Sequence, residues 1–178
     1  MTRLFTAAAF AALALVPATV LAQGSANPYT DAVKAQLAQV KAPIIRTAEK
    51  VPEDLYAFKP TPEVRSLGQL IGHIADANFN ICAAGSGEKP PANGGIEKTV
   101  TSKAALQRAL AESFAFCEKV LAAMDDKKGT DSVKFITGPT PRLMVLAFNN
   151  SHDFEHYGNL VTYMRLKGIV PPSSEPAK

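Results

Sequence analysis

Apolar residues recur at helical spacing in four separate stretches of this chain of 178 residues. A helix with one buried face shows apolar positions three or four residues apart, whereas a half-buried strand alternates apolar and polar residues. Four such stretches and almost no strand predict an all-α fold, a four-helix bundle of the antiparallel type. The apolar positions of the first three stretches are Val33, Leu37, Val40, Ile44 and Ile45; Leu67, Leu70, Ile71, Ile74 and Phe79; and Leu106, Leu110, Phe114, Val120 and Leu121.

Capping signals predict where the first two helices begin. Asn27 followed by Pro28 is typical of an N-cap and a first helical position. Ser66 and Gln69 stand three apart just before an apolar run, which is the arrangement of a capping box. Pro43 lies inside the first helix, and because it lacks a backbone N–H we expect it to kink or shorten that helix.

The fourth helix is predicted from a similar pattern. Thr140 is the expected N-cap and Pro141 the first helical residue, after a short extended piece at 133–136. Gly168 is the expected residue just beyond the last turn, because glycine readily takes the left-handed conformation that ends many helices.

The first 22 residues have the features of a bacterial signal peptide. A positive start at 1–3 precedes an apolar run at 4–16, and small residues at 20 and 22 suit a cleavage site. We therefore expect residues 1–22 to be removed and residues 23–178 to form a single domain in the periplasm or outside the cell. An uncleaved membrane anchor is the alternative, which the short apolar run disfavours.

The distribution of charged and apolar residues disfavours two classes of partner, nucleic acids and membranes. The chain has a formal net charge of +3, but lysines and acids are interspersed and no basic run carries aromatic residues. Nucleic-acid binding therefore has no support. No apolar stretch after the leader is long enough to span a bilayer, so no membrane association is expected once the leader is removed.

Two cysteines, Cys82 and Cys117, allow a disulfide in an oxidising compartment, although two free thiols remain an alternative. Each lies sixteen residues after the start of its own predicted helix, at Ser66 and Thr101. If the two are bonded, the second and third helices run parallel, and the Gly/Pro-rich stretch at 85–95 is the long crossover loop between them. The bundle then runs up-down-down-up.

The three histidines of the chain are the candidate metal ligands. His152 and His156 are four residues apart and lie on one face of the fourth helix. His73 lies on the second helix, which an up-down-down-up bundle places antiparallel to the fourth. Three neutral imidazoles suit a catalytic divalent ion that keeps one position open for water or substrate. The alternative is that all three are ordinary helix or core residues.

Four polar residues within one turn of a histidine are candidates to orient the ligands. Metal-bound histidines usually donate their second ring N–H to such a neighbour. Glu155 is equally well explained as a solvated surface charge. The candidates are Asp76, Asn149, Glu155 and Asn159.

Two segments of the chain resemble the DinB-like (damage-inducible) family. They are PEDLYAFKPTPEVRSLGQLIGHIADANF at 52–79 and HDFEHYGNLVTYMRLKGIVPP at 152–172. The resemblance implies an up-down-down-up four-helix bundle with a metal triad at His73, His152 and His156. It also implies a divalent ion, for which zinc, nickel, iron and manganese are the candidates, and places the chain beside metal-dependent hydrolases and thiol-dependent transferases.

Two functions follow as hypotheses. The first is an exported metal-dependent hydrolase or transferase that acts on a small molecule, with thiol transfer disfavoured because an oxidising compartment holds few small thiols. The second is a non-catalytic metal-binding or stress-associated bundle, in which a homodimer is one arrangement. An enzyme requires an open coordination position, whereas a structural site is closed by a fourth protein ligand. A bundle without metal is the third alternative.

Overall fold

A computed structural model of the protein describes residues 25–91 and 94–176, and the expected signal peptide lies outside these residues. The described chain is mostly helical, which confirms the all-α fold class. Among the described residues, four long helices are accompanied by two single-turn α-helices, two short 3₁₀ segments (Glu53–Ala57 and Pro172–Ser174) and one small hairpin. Their bounds are α1 Pro28–Lys50, α2 Leu67–Ser86, α3 Ile96–Thr99, α4 Lys103–Ala122, α5 Asp126–Gly129, β1 Ser132–Phe135, β2 Gly138–Pro141 and α6 Arg142–Leu166.

Contacts along α2 fix the directions of its two neighbours. The Asn78 amide lies 3.2 Å from Ser113 Oγ, and one turn further along both helices Cys82 is bonded to Cys117, with the Cα atoms 5.3 Å apart. Both positions advance together, so α2 and α4 run parallel. By contrast, His73 lies against His152, whereas Asn78, further along α2, contacts Asn149, which is earlier in α6. Helices α2 and α6 are therefore antiparallel.

Helix α1 runs in the same direction as α6. Asn150, in the first half of α6, donates to the carbonyl of Val33 near the start of α1 at 2.9 Å. Lys50, at the end of α1, donates to the carbonyl of Val170 just beyond the end of α6 at 2.8 Å. The bundle is thus up-down-down-up, as expected, and α2 and α6 lie side by side in opposite directions.

The bundle interior is filled by the apolar stripes that the sequence predicts. Both hydrogen bonds of the capping box at the start of α2 are present, at 3.1 Å from Gln69 N to Ser66 Oγ and 2.9 Å from Ser66 N to Gln69 Oε1. Within residues 25–91 and 94–176, none of the helices combines the length and the hydropathy that a bilayer span requires. The largest fully buried side chains are Phe114, Ile44, Leu67, Ile71, Ile74, Leu106, Leu110, Leu146, Leu160, Met164, Val40 and Val51.

Two predicted details of the helices differ from the structure. Of the two effects expected of Pro43, shortening does not occur, because α1 continues to Lys50 with Pro43 inside it. A proline at this position removes one backbone hydrogen bond, but burial of Ile44 and Val51 on either side of the last turns holds the helix to the bundle. The loss of one bond is thereby outweighed by packing.

The start of α6 is the second correction. Thr140 and Pro141 are not its N-cap and first helical residue, because both belong to strand β2, where Thr140 pairs with Val133 and Pro141 with Ser132. The helix begins one residue later, at Arg142. Gly168 follows its last turn with a φ of +70°, in agreement with the prediction.

Candidate metal centre

The antiparallel packing of α2 and α6 brings all three histidines together. His152 Nε2 lies 3.3 Å from His73 Nε2 and 3.0 Å from His156 Nε2. The three candidate ligand atoms all lie within 4.8 Å of one another. His156 is buried, whereas His73 and His152 are partly exposed, so the cluster lies at the edge of the core with one side toward solvent.

A hydrogen bond to Glu97 determines how His73 presents its ring. His73 Nδ1 lies 2.9 Å from Glu97 Oε2. A carboxylate accepts a proton and does not donate one, so Nδ1 carries the hydrogen and the lone pair of Nε2 faces the other two histidines. This tautomer is the one that a metal ligand needs.

Burial keeps the other two imidazoles neutral. It lowers the pKa of His156 from 6.5 to about 3, with further lowering from the charges of His152 and His73. Burial, followed by the charge of His73, likewise lowers the pKa of His152. Asn159, one turn beyond His156, places its side-chain Nδ2 3.3 Å from His156 Nδ1. Both rings therefore offer lone pairs at neutral pH.

Glu97 is held against His73 by the short helix α3. The carboxylate of Asp76 on α2 accepts the backbone N–H groups of Ile96 at 3.1 Å and Glu97 at 3.0 Å. The approach is close because α2 has a glycine one residue before His73: a Cβ on Gly72 would lie only 2.8 Å from the Cα of Glu97. Helix α3 thus rests directly on the backbone of α2.

Arg65 completes the polar side of the site. Its Nε donates to the second oxygen of Glu97 at 3.0 Å. Burial raises the pKa of Glu97, but the hydrogen bonds from Arg65 and His73 outweigh it, so that the net pKa is lowered and the carboxylate stays charged. A continuous hydrogen-bonded chain therefore runs from Arg65 through Glu97 to His73.

The four predicted orienting residues have different surroundings. Asn159 lies against His156, as described, and Glu155 is exposed with no hydrogen bond to a histidine among the described residues. Asp76 acts on α3 and not on a histidine directly. Asn149 is buried, with its amide 2.8 Å from that of Asn78 and 3.4 Å from Asp153 Oδ2, and among the described residues it has no hydrogen bond to a histidine. Sequence reasoning missed Glu97 and Arg65.

Asn149 belongs instead to a buried polar cluster beside the disulfide. Asp153 is fully buried there, and burial raises the pKa of its carboxyl well above the usual 3.8. The amide of Asn78 and the hydroxyl of Ser113 line the same space between α2, α4 and α6. On α6, Asn149 of this cluster lies in the bundle interior about one turn before His152.

The geometry of the cluster fits a metal ion. A tetrahedral ion with metal–nitrogen distances near 2.05 Å separates its nitrogen ligands by about 3.3 Å, close to the separations of His152 Nε2 from its two neighbours. The cluster contains no fourth His, Cys, Asp or Glu ligand atom within residues 25–91 and 94–176. The three histidines could therefore hold one ion with a position left open.

The protein is a four-helix bundle with up-down-down-up topology. A cluster of three histidines lies between its second and fourth long helices, so it is of the class of helical bundles with a candidate metal site. The chain belongs to the DinB superfamily, whose family model matches residues 36–160. The matched segment contains all three histidines, Glu97 and Arg65.

Solved structures share this fold. A DinB-like protein from Bacillus cereus ATCC 10987 matches with a TM-score of 0.71 at 18% identity, over 80% of this chain and 95% of that one. A DinB-like protein from Bacillus subtilis matches with a TM-score of 0.65 at 16% identity, over 82% and 99% of the two chains. A conserved protein from Enterococcus faecalis gives 0.64 at 18% identity, over 77% and 95%. No curated protein matches the sequence.

Proposed function

We propose that the protein is an exported enzyme, a metal-dependent hydrolase or transferase that acts on a small molecule with His73, His152 and His156 as ligands of one divalent ion. The observation that carries this proposal is the convergence of three Nε2 atoms with no fourth protein ligand among the described residues. Zinc, nickel, iron and manganese all suit such a site, and three neutral ligands leave the positive charge of the ion uncompensated.

The residues around the triad support a catalytic role. A divalent ion at this position would acidify a bound water or polarise a carbonyl group. Glu97 fixes the tautomer of His73, Asn159 supports the ring of His156, and the buried walls of the bundle limit access of water to one side. His73 and His156 are thereby oriented before substrate binds, which reduces the reorganisation that the reaction requires.

A non-catalytic metal-binding bundle is the second candidate. Its support is the burial of His156 and the hydrogen bond by which Glu97 on the short helix α3 holds His73, and a structural site shares both features. The two candidates differ in whether the fourth position exchanges ligands.

Metal content tests the site itself. The mature protein, purified without a histidine tag, is compared by elemental mass spectrometry with a His152→Ala/His156→Ala variant and with a Ser151→Ala/Glu155→Ala variant. The second variant is the matched control, because its two positions have the same spacing on α6 and are exposed. We expect about one equivalent of metal in the wild type and the control, and none in the histidine variant. Absence of metal from all three after reconstitution contradicts the proposal.

Ligand exchange separates the two candidates. Cobalt(II) replaces the native ion and its visible spectrum is recorded while acetohydroxamate is added. An open position predicts a saturable spectral change in the wild type. A site closed by the protein predicts an unchanged spectrum, and that result favours the structural role.

The export part of the proposal has separate support. The bonded pair Cys82 and Cys117 suits an oxidising compartment, and residues 1–22 have the pattern of a leader. Expression of the full chain in a Gram-negative host, followed by osmotic release and intact-mass measurement, tests it. A periplasmic species beginning at Gln23 is expected; a full-length species retained with the membrane contradicts cleavage.

A further inference from the structure

Arg65 has hydrogen-bonding capacity that its protein contacts leave unused. Only Nε is bonded to Glu97, at 3.0 Å. Within the described residues, neither terminal nitrogen of the guanidinium has a protein hydrogen-bond partner, and the side chain is 41% exposed. Those two terminal nitrogens form a planar fork that matches the two oxygens of a carboxylate.

The position of Arg65 is fixed at both ends. The hydroxyl of Tyr163, seven residues beyond His156 on the same side of α6, donates to the carbonyl of Arg65 at 2.9 Å. The next residue, Ser66, is the N-cap of α2. With Nε held by Glu97, the guanidinium is anchored next to the histidine cluster instead of sampling the solvent.

The charge of Arg65 lies close to the candidate metal site. Its Nε is 3.0 Å from one oxygen of Glu97, and the other oxygen of that carboxylate is 2.9 Å from His73 Nδ1, so only one carboxylate separates the guanidinium from the histidine cluster. Glu97 neutralises only one positive charge. A divalent ion on three neutral imidazoles, together with Arg65 and Glu97, therefore leaves a net positive site that favours an anionic ligand.

We propose that Arg65 is the specificity-determining residue of this site and binds a carboxylate of the substrate through its two terminal nitrogens, while the reacting group of that substrate faces His73, His152 and His156. This inference rests on the proposed function, because it needs a ligand at the metal position. It restricts the substrate class to small molecules that carry a carboxylate in addition to the reacting group.

The test compares ligands that differ only in a carboxylate. The cobalt(II)-loaded mature protein, with its disulfide intact, is titrated with acetohydroxamate and with the monohydroxamates of malonic, succinic and glutaric acids. All share the metal-binding hydroxamate, and the last three add a carboxylate at increasing distance. In the wild type, at least one of the three should bind on the order of tenfold more tightly than acetohydroxamate.

Two variants make the test specific. Arg65→Gln should remove the preference for the carboxylate: the ratio of the Kd of acetohydroxamate to that of the tightest monohydroxamate should fall from about tenfold toward one, since a neutral amide lacks the charged fork. Lys98→Gln is the matched control: it removes one positive charge from α3, directly beside Glu97, at an exposed position. This variant should keep the preference of the wild type.

The outcomes distinguish the two proposals. A wild type that takes up no cobalt overturns both. A wild type that binds cobalt and acetohydroxamate, but shows no preference for any carboxylate, overturns only the role of Arg65. Equal weakening of all four ligands in Arg65→Gln identifies Arg65 as a structural support of Glu97 and also overturns it. Loss of the preference in Lys98→Gln shows a diffuse charge effect and contradicts a specific contact.

Discussion

At the scale of single residues, the hydrogen bond between Glu97 and His73 is the contact that most directly fixes the tautomer and orientation of a candidate metal ligand. Removing the partner of a metal-bound histidine usually lowers metal affinity 10–100-fold. We therefore expect Glu97→Ala to weaken metal binding by roughly that factor, measured by competition with a chromophoric chelator. Glu155→Ala is the control, because Glu155 is an exposed carboxylate on α6 beside His152. Equal affinities of the two variants would show that Glu97 does not orient His73.

Burial of His156 predicts a dependence of stability on pH in the metal-free protein. Its pKa is lowered from 6.5 to about 3 in the folded state. Between these values the unfolded chain binds a proton that the folded chain does not, so the free energy of unfolding decreases as the pH falls below 6.5. In urea unfolding after treatment with chelator, His156→Gln should show a shallower decrease between pH 6.5 and 4.5. Parallel curves for the two proteins would contradict this prediction.

The residues of the site divide into those that local spacing reveals and those that it does not. His152, His156 and Asn159 share one helix, so a spacing of three or four residues places them together. His73 required the topology as well. Glu97 lies 24 residues from His73, beyond a Gly/Pro-rich segment, and nothing in its own neighbourhood indicates that it reaches a histidine. The available signal was Gly72, a glycine inside a capped helix, which indicates close approach of another backbone.

At the scale of elements, Gly72 controls how α3 rests on α2. A Cβ there would lie 2.8 Å from the Cα and 3.0 Å from the N of Glu97, so Gly72→Ala must push α3 away from His73. We expect roughly a tenfold loss of metal affinity, since the hydrogen bond from Glu97 is lengthened or lost. Stability should change less, because alanine is a better helix former than glycine by about 1 kcal/mol.

Gly158→Ala is the control for this substitution. Gly158 is exposed on α6, and a Cβ there would meet nothing within 4 Å. We expect unchanged metal affinity and a gain in the free energy of unfolding of about 0.5–1 kcal/mol. A loss of affinity in both variants would mean that helix rigidity, and not the contact with α3, is what matters.

The start of a helix could be predicted from sequence where no other secondary structure forms with the same residues. Ser66 and Gln69 belong to no strand or other helix, and both hydrogen bonds of their capping box form. Thr140 and Pro141 carry an equally good signal for a helix start, but Thr140 pairs with Val133 across a hairpin instead. Sequence spacing alone does not rank the two structures, because the hairpin depends on partners at both ends.

At the scale of the whole molecule, the prediction of the helix directions depended on the two cysteines. Their equal offsets from the starts of α2 and α4 predict parallel helices if they are bonded, and the bonded pair lies between parallel helices in the structure. The disulfide joins α2 to α4, whereas the histidines join α2 to α6. The covalent link and the candidate metal site thus lie at two different interfaces of the same helix.

This separation predicts that stability and metal binding respond differently to loss of the disulfide. The bond closes a loop with a sequence separation of 35, and chain entropy alone assigns such a loop about 3–4 kcal/mol of stabilisation. Cys82→Ala/Cys117→Ala should lower the free energy of unfolding by about that amount, measured by urea unfolding of the metal-free protein. Its metal affinity at temperatures well below the melting midpoint should stay within about threefold of the wild type, because α6 and α3 still hold the ligands.

Reduction provides the internal control. A phosphine reductant, which does not compete as a thiol ligand, should destabilise the wild type when the buried bond opens and leave the double variant unaffected. If the variant loses metal affinity in proportion to its stability, the α2–α4 link also positions His73, and the two interfaces of α2 are coupled. If metal affinity is retained while the free energy of unfolding falls, the α2–α4 and α2–α6 interfaces are not coupled. Metal binding then depends on the α2–α6 contact and on Glu97 alone.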